Sequence, residues 1–402
     1  MDKNKANVPK IRFPGFTDPW EQRKAGDIFF TVVDKNHPEL PVLSASQEFG
    51  MIKRDNSGIN ISYNKENEIG YKRVMPGQFV IHLRSFQGGF AHSNIEGITS
   101  PAYTVMDFVE KSNHYDHFWK YIFNSESFIK RLELITYGIR DGRSISYKDF
   151  ATLPFKFPQY EEQKKIGAFF IELDDLITLH QRKLNHLKDE KKGLLQKMFP
   201  KNGEKFPELR FPGFTDSWEQ RKLSDMKNVR DGTHDSPKYH NEGHPLVTSK
   251  NLTDHGLDMS DVSLISDEDF EAINQRSKVD VGDIIFGMIG TIGNPVILER
   301  DDFAIKNVAL LKNGGEVDNR FLIQLLKSPV FDRYMRKENA GGTQKFLGLS
   351  QIRNFEFLTP AMDEQVKIGE FFKNLDHLIT LHQRKLNHLQ EQKKALLQQM
   401  FI

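Results

Sequence analysis

The sequence predicts an α+β protein: two domains of mixed strands and helices, separated by two long antiparallel coiled-coil helices, with the halves related by a pseudo-two-fold internal repeat. Three observations lead there. The segment RFPGFTDPWEQRK at residues 12–24 returns with one change as RFPGFTDSWEQRK at residues 210–222. LITLHQRKLNHL at residues 176–187 returns unaltered at residues 378–389. Between these repeats lie two stretches that barely resemble each other, each the size of one domain. A repeated frame around unlike inserts is the pattern of one scaffold that reads two different things. Such a period sets the architecture before any local reading.

Composition narrows the class. At 402 residues the chain has length for several cores. Hydrophobic residues make up 38%, and no apolar run approaches the roughly 20 residues of a membrane span, so a soluble globular protein with no membrane partner is expected. The start, MDKNKANVPK, lacks the apolar stretch of a secretory signal. The absence of cysteine excludes disulfides, thiolate zinc sites and cysteine nucleophiles, and it fits a cytoplasmic protein. A formal net charge of +1 argues mildly against nucleic acid, although a balanced total can hide a basic face.

Residues 1–20 read as an N-terminal segment: a polar tail over 1–10, then a Pro-Gly turn at Phe13-Pro14-Gly15-Phe16. Its aromatics, with Trp20, pin the chain to the next domain. Residues 21–158 form the first domain, with a strand over 78–83 and a helix over 117–134 that turns Phe118, Tyr121, Ile122, Phe128, Ile129 and Leu132 to one side. Residues 159–202 are the central frame helix, and 203–218 are a linker that repeats the N-terminal segment, with Phe211, Phe214 and Trp218 in the same places. Residues 219–360 form the second domain, with a strand over 283–286 and a helix over 320–337, and residues 361–402 are the C-terminal frame helix.

The frame helices carry the clearest periodicity. Ile166, Phe170, Leu173, Ile177, His180, Leu184, Leu187, Lys191, Leu194 and Met198 are spaced alternately by four and three, a heptad seam. Ile368, Phe372, Leu375, Ile379, His382, Leu386, Leu389, Lys393, Leu396 and Met400 repeat it. A helix of such length spans ~55 Å at 1.5 Å per residue and must bury its seam, for which the other copy is the natural partner. The histidine and lysine in each seam cost stability and can set register.

No catalytic constellation appears. The GxxxxGK(S/T) phosphate loop, the H-E-x-x-H zinc helix and a serine triad are all missing, so no enzyme, no metal and no cofactor are expected on this chain. Gly287 to Gly293 reads as a tight turn between strands, and Asp174-Asp175 as a solvated helix face. Binding residues are better represented. In the first insert Lys72, Arg73, Arg84, Ser85, Gln87, Arg140 and Arg143 lie beside glycine-rich turns. In the second, Thr233, His234, Lys238, Tyr239, Ser249, Lys250, Thr343, Gln344 and Lys345 occupy polar turns. Such side chains read base edges and hold phosphates.

The frame resembles that of the DNA-specificity subunits of type I restriction–modification systems. The residues that carry the resemblance are RFPGFTDxW before each insert and the EQ-x-KIG-x-FF helix after it, starting at Glu162-Gln163 and Glu364-Gln365. The segments at 97–103, 282–286 and 341–346 are similar to target-recognition segments of that family. The resemblance implies that each insert is a target-recognition domain on double-stranded DNA, together reading an asymmetric bipartite target. It implies that the helix pair, through Ile166, Phe170, Leu173, Ile177, Leu184, Leu187, Ile368, Phe372, Leu375, Ile379, Leu386 and Leu389, is spacer and dock for two methyltransferase subunits. Those would carry S-adenosylmethionine and methylate adenine N6. Two restriction/translocase subunits would bring ATP and magnesium, leaving this chain a non-catalytic specificity subunit. The rival reading is a coiled-coil adaptor carrying two protein-binding domains.

Overall fold

The computed structural model describes residues 8–46, 49–57, 65–83, 85–136, 145–201, 203–253, 256–290, 292–338 and 346–401. The chain forms two compact units: Met1–Leu179 with Lys385–Ile402, and His180–Arg384. Strands and helices are mixed in both. The division in space therefore cuts each long helix in its middle, and the last stretch of chain belongs with the first unit.

Each insert is closed at its base by a short antiparallel pair. Glu21–Lys24 pairs with Pro154–Phe157 in the first unit, and Glu219–Lys222 pairs with Glu356–Thr359 in the second. Beyond that closure both units build a four-stranded antiparallel sheet of the same order. In the first the order is Phe29–Val32, Thr104–Phe108, Phe79–Ile81, Ala91–His92; in the second it is Val229–Asp231, Val308–Leu311, Ile284–Gly287, Gly293–Ile297. The strands expected at 78–83 and 283–286 are both central in these sheets. Gly287 pairs with Gly293, as expected of strands joined by a turn, and Gly290 and Gly293 lie in the left-handed region at φ 75° and 99°.

The same topology is filled differently. The first core is aromatic: Phe29 meets Trp119 edge to face at 5.1 Å, and Phe79 meets Phe123 at 5.0 Å. The second is mainly aliphatic, with Ile284, Leu311, Leu322, Leu325 and Leu326 around Phe286 and Phe321. Volume and patterning, not identity, decide a core.

The helices expected as single elements at 117–134 and 320–337 are each two. The first divides into Asp116–Phe123 and Glu126–Leu134, because Ser125 leaves the helix and its Oγ accepts from Phe128 N at 3.2 Å as an N-cap. The second divides into Asn319–Leu326 and Pro329–Glu338. Proline is suited to a first helical position and not to an interior one.

The repeated residues explain one another. Arg12 Nε and Nη2 donate to both Glu162 oxygens at 2.7 Å, and Arg210 makes the same bidentate pair with Glu364, also at 2.7 Å. Gln163 Nε2 donates to the Pro158 carbonyl at 2.8 Å, and Gln365 Nε2 to that of Pro360 at 2.9 Å. Lys165 lies over the Phe13 ring and Lys367 over Phe211. A Cβ on Gly167 would come within 2.6 Å of the Tyr115 ring, and one on Gly369 within 2.7 Å of Arg320 Cβ. Only glycine lets the frame helix lie so close to the first turn of the insert helix. Trp20 and Trp218 are buried, as expected of anchors. The tail reading over 1–10 needs correction at its end: Pro9 is buried and Ile11 N donates to Gln399 O at 3.1 Å, so the last tail residues are held.

The frame helices run over Tyr160–Lys197 and Met362–Met400. In the first unit Lys393 pairs with Asp174 at 2.5 Å, and Tyr121 donates to the same carboxylate at 2.8 Å. In the second Lys191 pairs with Asp376 at 2.6 Å, and Gln324 donates to it at 3.2 Å. The reading of Asp174 as solvated is thereby corrected; its heptad position faces out, but the insert helix and Lys393 cover it. Also in the second unit, His180 Nδ1 and His382 Nδ1 are 2.9 Å apart.

One buried histidine gives a pH test. His114 stacks on Phe108 at 5.2 Å, and burial, reinforced by Arg23, pushes its imidazole down to about 4. The ring is neutral in the fold, while the unfolded chain takes up a proton below its ordinary value near 6.5. Stability from this group is thus complete above that value and is lost as pH falls toward 4. Urea denaturation at neutral and acid pH should show the parent losing on the order of 3 kcal/mol more than His114→Phe. Equal acid losses would show that the ring already carries its proton in the fold.

Candidate nucleic-acid interface

In the first unit the expected residues sit on linked segments. Lys72 and Arg73 lie on the strand Lys72–Val74, paired with Gly97–Thr99. Lys72 Nζ donates to the Tyr103 carbonyl at 2.6 Å, and burial, with Lys35 nearby, lowers its pKa. Arg73 Nε donates to Glu96 Oε1 at 2.8 Å, and Nη1 to Asp34 at 3.4 Å. The Glu96 bond, with the Asp34 charge, raises the guanidinium above its ordinary value. Asp34 also meets His37 at 2.8 Å, so Arg73 belongs to a connected polar network. Ser85 is fully buried and its Oγ accepts from His82 N at 2.9 Å, whereas Gln87 is exposed. His82 meets the Tyr103 ring edge-on, which connects the two segments. Arg84, Arg140 and Arg143 lie outside the described residues.

In the second unit Thr233 and His234 are fastened to the segment 305–307, and Ser249 to the residues after Gly287. Thr233 N donates to Ile305 O at 3.0 Å and Asn307 N to Thr233 O at 3.1 Å. His234 places its two ring nitrogens 2.8 Å from Asn307 Oδ1 and 3.0 Å from Asp231 Oδ2, contacts that raise its pKa. Ser249 Oγ donates to Ile289 O at 3.1 Å, between Gly287 and Gly293, and Asn294 Nδ2 donates to Leu252 O at 3.0 Å. Lys238 and Tyr239 are exposed. Lys250 is exposed too, with Asp261 at 3.3 Å, a surface pair of small energy. Thr343, Gln344 and Lys345 lie outside the described residues.

Several residues of these rims escape a sequence reading. Asn36, Asn294 and Asn307 hold φ of 75°, 51° and 56°, the non-glycine residues in the left-handed region among those described. Asparagine tolerates that conformation, and such strain gathers at functional loops. Lys306 is nearly buried and donates to Ser236 Oγ at 2.8 Å. None of this is visible in spacing, because each contact joins distant segments. Chemically, the first rim presents the Lys72 ammonium and Arg73 guanidinium, each held by neighbours, and the exposed Gln87 amide, whereas the second presents the His234 imidazole and Ser249 hydroxyl, held by neighbours, and the exposed Lys250 ammonium. That suits recognition of base edges and phosphates.

The frame holds a different surface. The seam residues Ile166, Phe170, Leu173, Leu184, Leu187, Ile368, Phe372, Leu375, Leu386 and Leu389 are buried within the chain, and Ile177 and Ile379 partly so. All but Leu184 and Leu386 pack in the cores of the two units. The exposed leucines of the frame are Leu176 at 46% and Leu179 at 61%, and their repeats Leu378 at 44% and Leu381 at 54%. Among the described residues no helix is long and apolar enough to cross a membrane.

Comparison with known proteins follows the same division. The model of the type I restriction modification DNA specificity domain matches twice, over residues 17–189 and 215–391. The type I restriction enzyme MjaVIII specificity subunit of Methanocaldococcus jannaschii is 22% identical over 265 residues, 63% of this chain and 62% of that protein. The putative MjaX specificity subunit of the same organism is 23% identical over 265 residues, 63% of this chain and 60% of that protein. The chain thus spans under two thirds of the length of these curated relatives. Among solved structures, the S subunit of a type I restriction-modification system from M. genitalium has a TM-score of 0.60 at 15% identity, covering 98% of this chain and 99% of that one. A chain from a structure on complex assembly and conformational transition of the type I R-M system has a TM-score of 0.52 at 14% identity, covering 97% and 98%. These likenesses show the fold. With both halves matched by the family model, the chain belongs to the type I restriction modification DNA specificity domain family.

Proposed function

We propose that this chain is the sequence-specific DNA-binding specificity subunit of a type I restriction–modification complex. The observation that carries the reading is that one frame, with the same closure, sheet order and Arg–Glu pair, supports two rims of unlike chemistry. Each rim reads one half of an asymmetric, bipartite DNA target.

The finer architecture belongs to the same proposal. The two frame helices pair antiparallel as a coiled coil, and a pseudo-two-fold axis relates the halves. Reciprocal contacts support this: Lys191 meets Asp376 in one unit, and their repeats Lys393 and Asp174 meet in the other. The domain limits are those of the sequence: recognition domains over 21–158 and 219–360, and frame helices over 159–202 and 361–402. The pair sets the length of unread DNA between half-sites. It docks two methyltransferase subunits, which carry S-adenosylmethionine and methylate adenine N6. Through them it reaches two restriction/translocase subunits, which carry ATP and magnesium. This chain has no turnover of its own and works in the cytoplasm, where such DNA lies.

The test is adenine-methylation mapping by single-molecule sequencing. Cells that make the chain with its methyltransferase should show a bipartite motif absent from cells that make the methyltransferase alone. Exchanging residues 21–158 for another insert should change one half of that motif and leave the other intact. No new motif with an active, bound partner would favour a protein-binding adaptor, and a change in both halves would end the modular reading.

A further inference from the structure

His92 closes the edge strand Ala91–His92 of the first sheet, and Asp116 and His117 open the helix Asp116–Phe123 packed against it. His92 is 2% exposed, and its Nε2 lies 2.7 Å from Asp116 Oδ2. The His92 and His117 rings are 4.9 Å apart at 53°. The Nδ1 atoms of both are buried and have no hydrogen-bond partner among the described residues. Buried polar atoms are normally satisfied, so two orphan ring nitrogens in one cluster ask for a missing partner.

We infer that His92, Asp116 and His117 form a binding site for a zinc-class divalent metal ion. One ligand atom from each lies within 4.8 Å of the others. Tetrahedral zinc, with bonds near 2.0–2.1 Å, separates its ligand atoms by roughly 3.4 Å. The widest pair must therefore close by on the order of 1 Å, while His92 Nε2 and Asp116 Oδ2, now at 2.7 Å, must part slightly to admit the ion. Asp116 and His117 are only half-buried and sit on the first helical turn, where side-chain rotation supplies that movement. Two imidazoles and a carboxylate suit zinc, cobalt or nickel, and leave a position for water. Ligation needs a neutral imidazole, so binding should strengthen as pH rises through the histidine range.

The ion would tie the sheet edge to the first helical turn. Residues 85–88, which carry Ser85 and Gln87, precede that edge directly. The inference stands apart from the DNA reading, because metal binding is measured without DNA or partners.

The experiment titrates the full chain with Co(II), read by its ligand-field absorption, and with Zn(II), read by thermal stability. The parent should bind one equivalent tightly, show the absorption of a four-coordinate cobalt, and melt at higher temperature with zinc. His117→Gln and Asp116→Asn should each weaken binding by more than about 10-fold while melting normally without metal. His240→Gln, exposed and in the other unit, should change nothing. A parent with neither absorption nor thermal shift would overturn the site. So would binding that survives both His117→Gln and Asp116→Asn, and His92–Asp116 would then be a clamp that fastens the helix to the sheet.

Discussion

A chain carrying Leu179→Glu and Leu381→Glu should fold like the parent and fail to hold a methyltransferase subunit. The two leucines are 61% and 54% exposed, so a carboxylate there faces water and changes stability by no more than about 0.5 kcal/mol. Their neighbours Leu176 and Leu378, three residues earlier, share the same helix faces. Exposed leucines in identical places of a repeated segment form an apolar patch twice over, which marks an interaction surface. Removing an anchor from an interface centre costs about 2 kcal/mol, and burying an unpaired carboxylate adds several more. Affinity should fall by more than about 1000-fold. Each single variant should retain one subunit, as read by co-purification and mass in solution. Parent-like assembly of the double variant would place the dock elsewhere. The seam leucines cannot make this test: Leu184 and Leu187 are buried at 2% and 4%, so charge there would disrupt folding first.

Arg12→Ala and Arg210→Ala should each lower folding stability by about 3–5 kcal/mol. Glu162 and Glu364 have side chains only 2% and 1% exposed, and each is met by one bidentate arginine. Removing the arginine strands a buried carboxylate, which costs more than the ion pair contributes. The paired change Arg12→Met with Glu162→Leu should therefore recover most of the loss. Denaturant unfolding of the three variants checks both statements. A loss below about 1 kcal/mol for Arg12→Ala would mean that water reaches Glu162 in the native chain.

The frame was legible because its signals are local and occur twice. The heptad seam, the Pro-Gly turns and the tryptophans state their roles through spacing and residue type. Pro329 also marked the break in the second insert helix, although the apolar periodicity running past it hid the signal. The rims were legible only as residue types. Lys72 and Arg73 look like free cations in the sequence, but Arg73 is held by Glu96, twenty-three residues on, and by Asp34. Ser85 looks like a loop hydroxyl and is fully buried. Asp174 looks solvated until Tyr121, fifty-three residues earlier, is found against it. Contacts across such separations follow from tertiary closure, which no window of sequence contains.

The four-residue pairs at the base of each insert have a consequence for inheritance. Glu21 lies opposite Phe157, and Glu219 opposite Thr359, so both ends of an insert enter and leave the frame side by side. The flanking residues on either side are nearly the same in both halves. A pair of crossovers, one in each flank, can thus import a whole insert, ends already matched, without reshaping anything outside it. Novelty in such a lineage need not accumulate residue by residue; it can arrive by exchange.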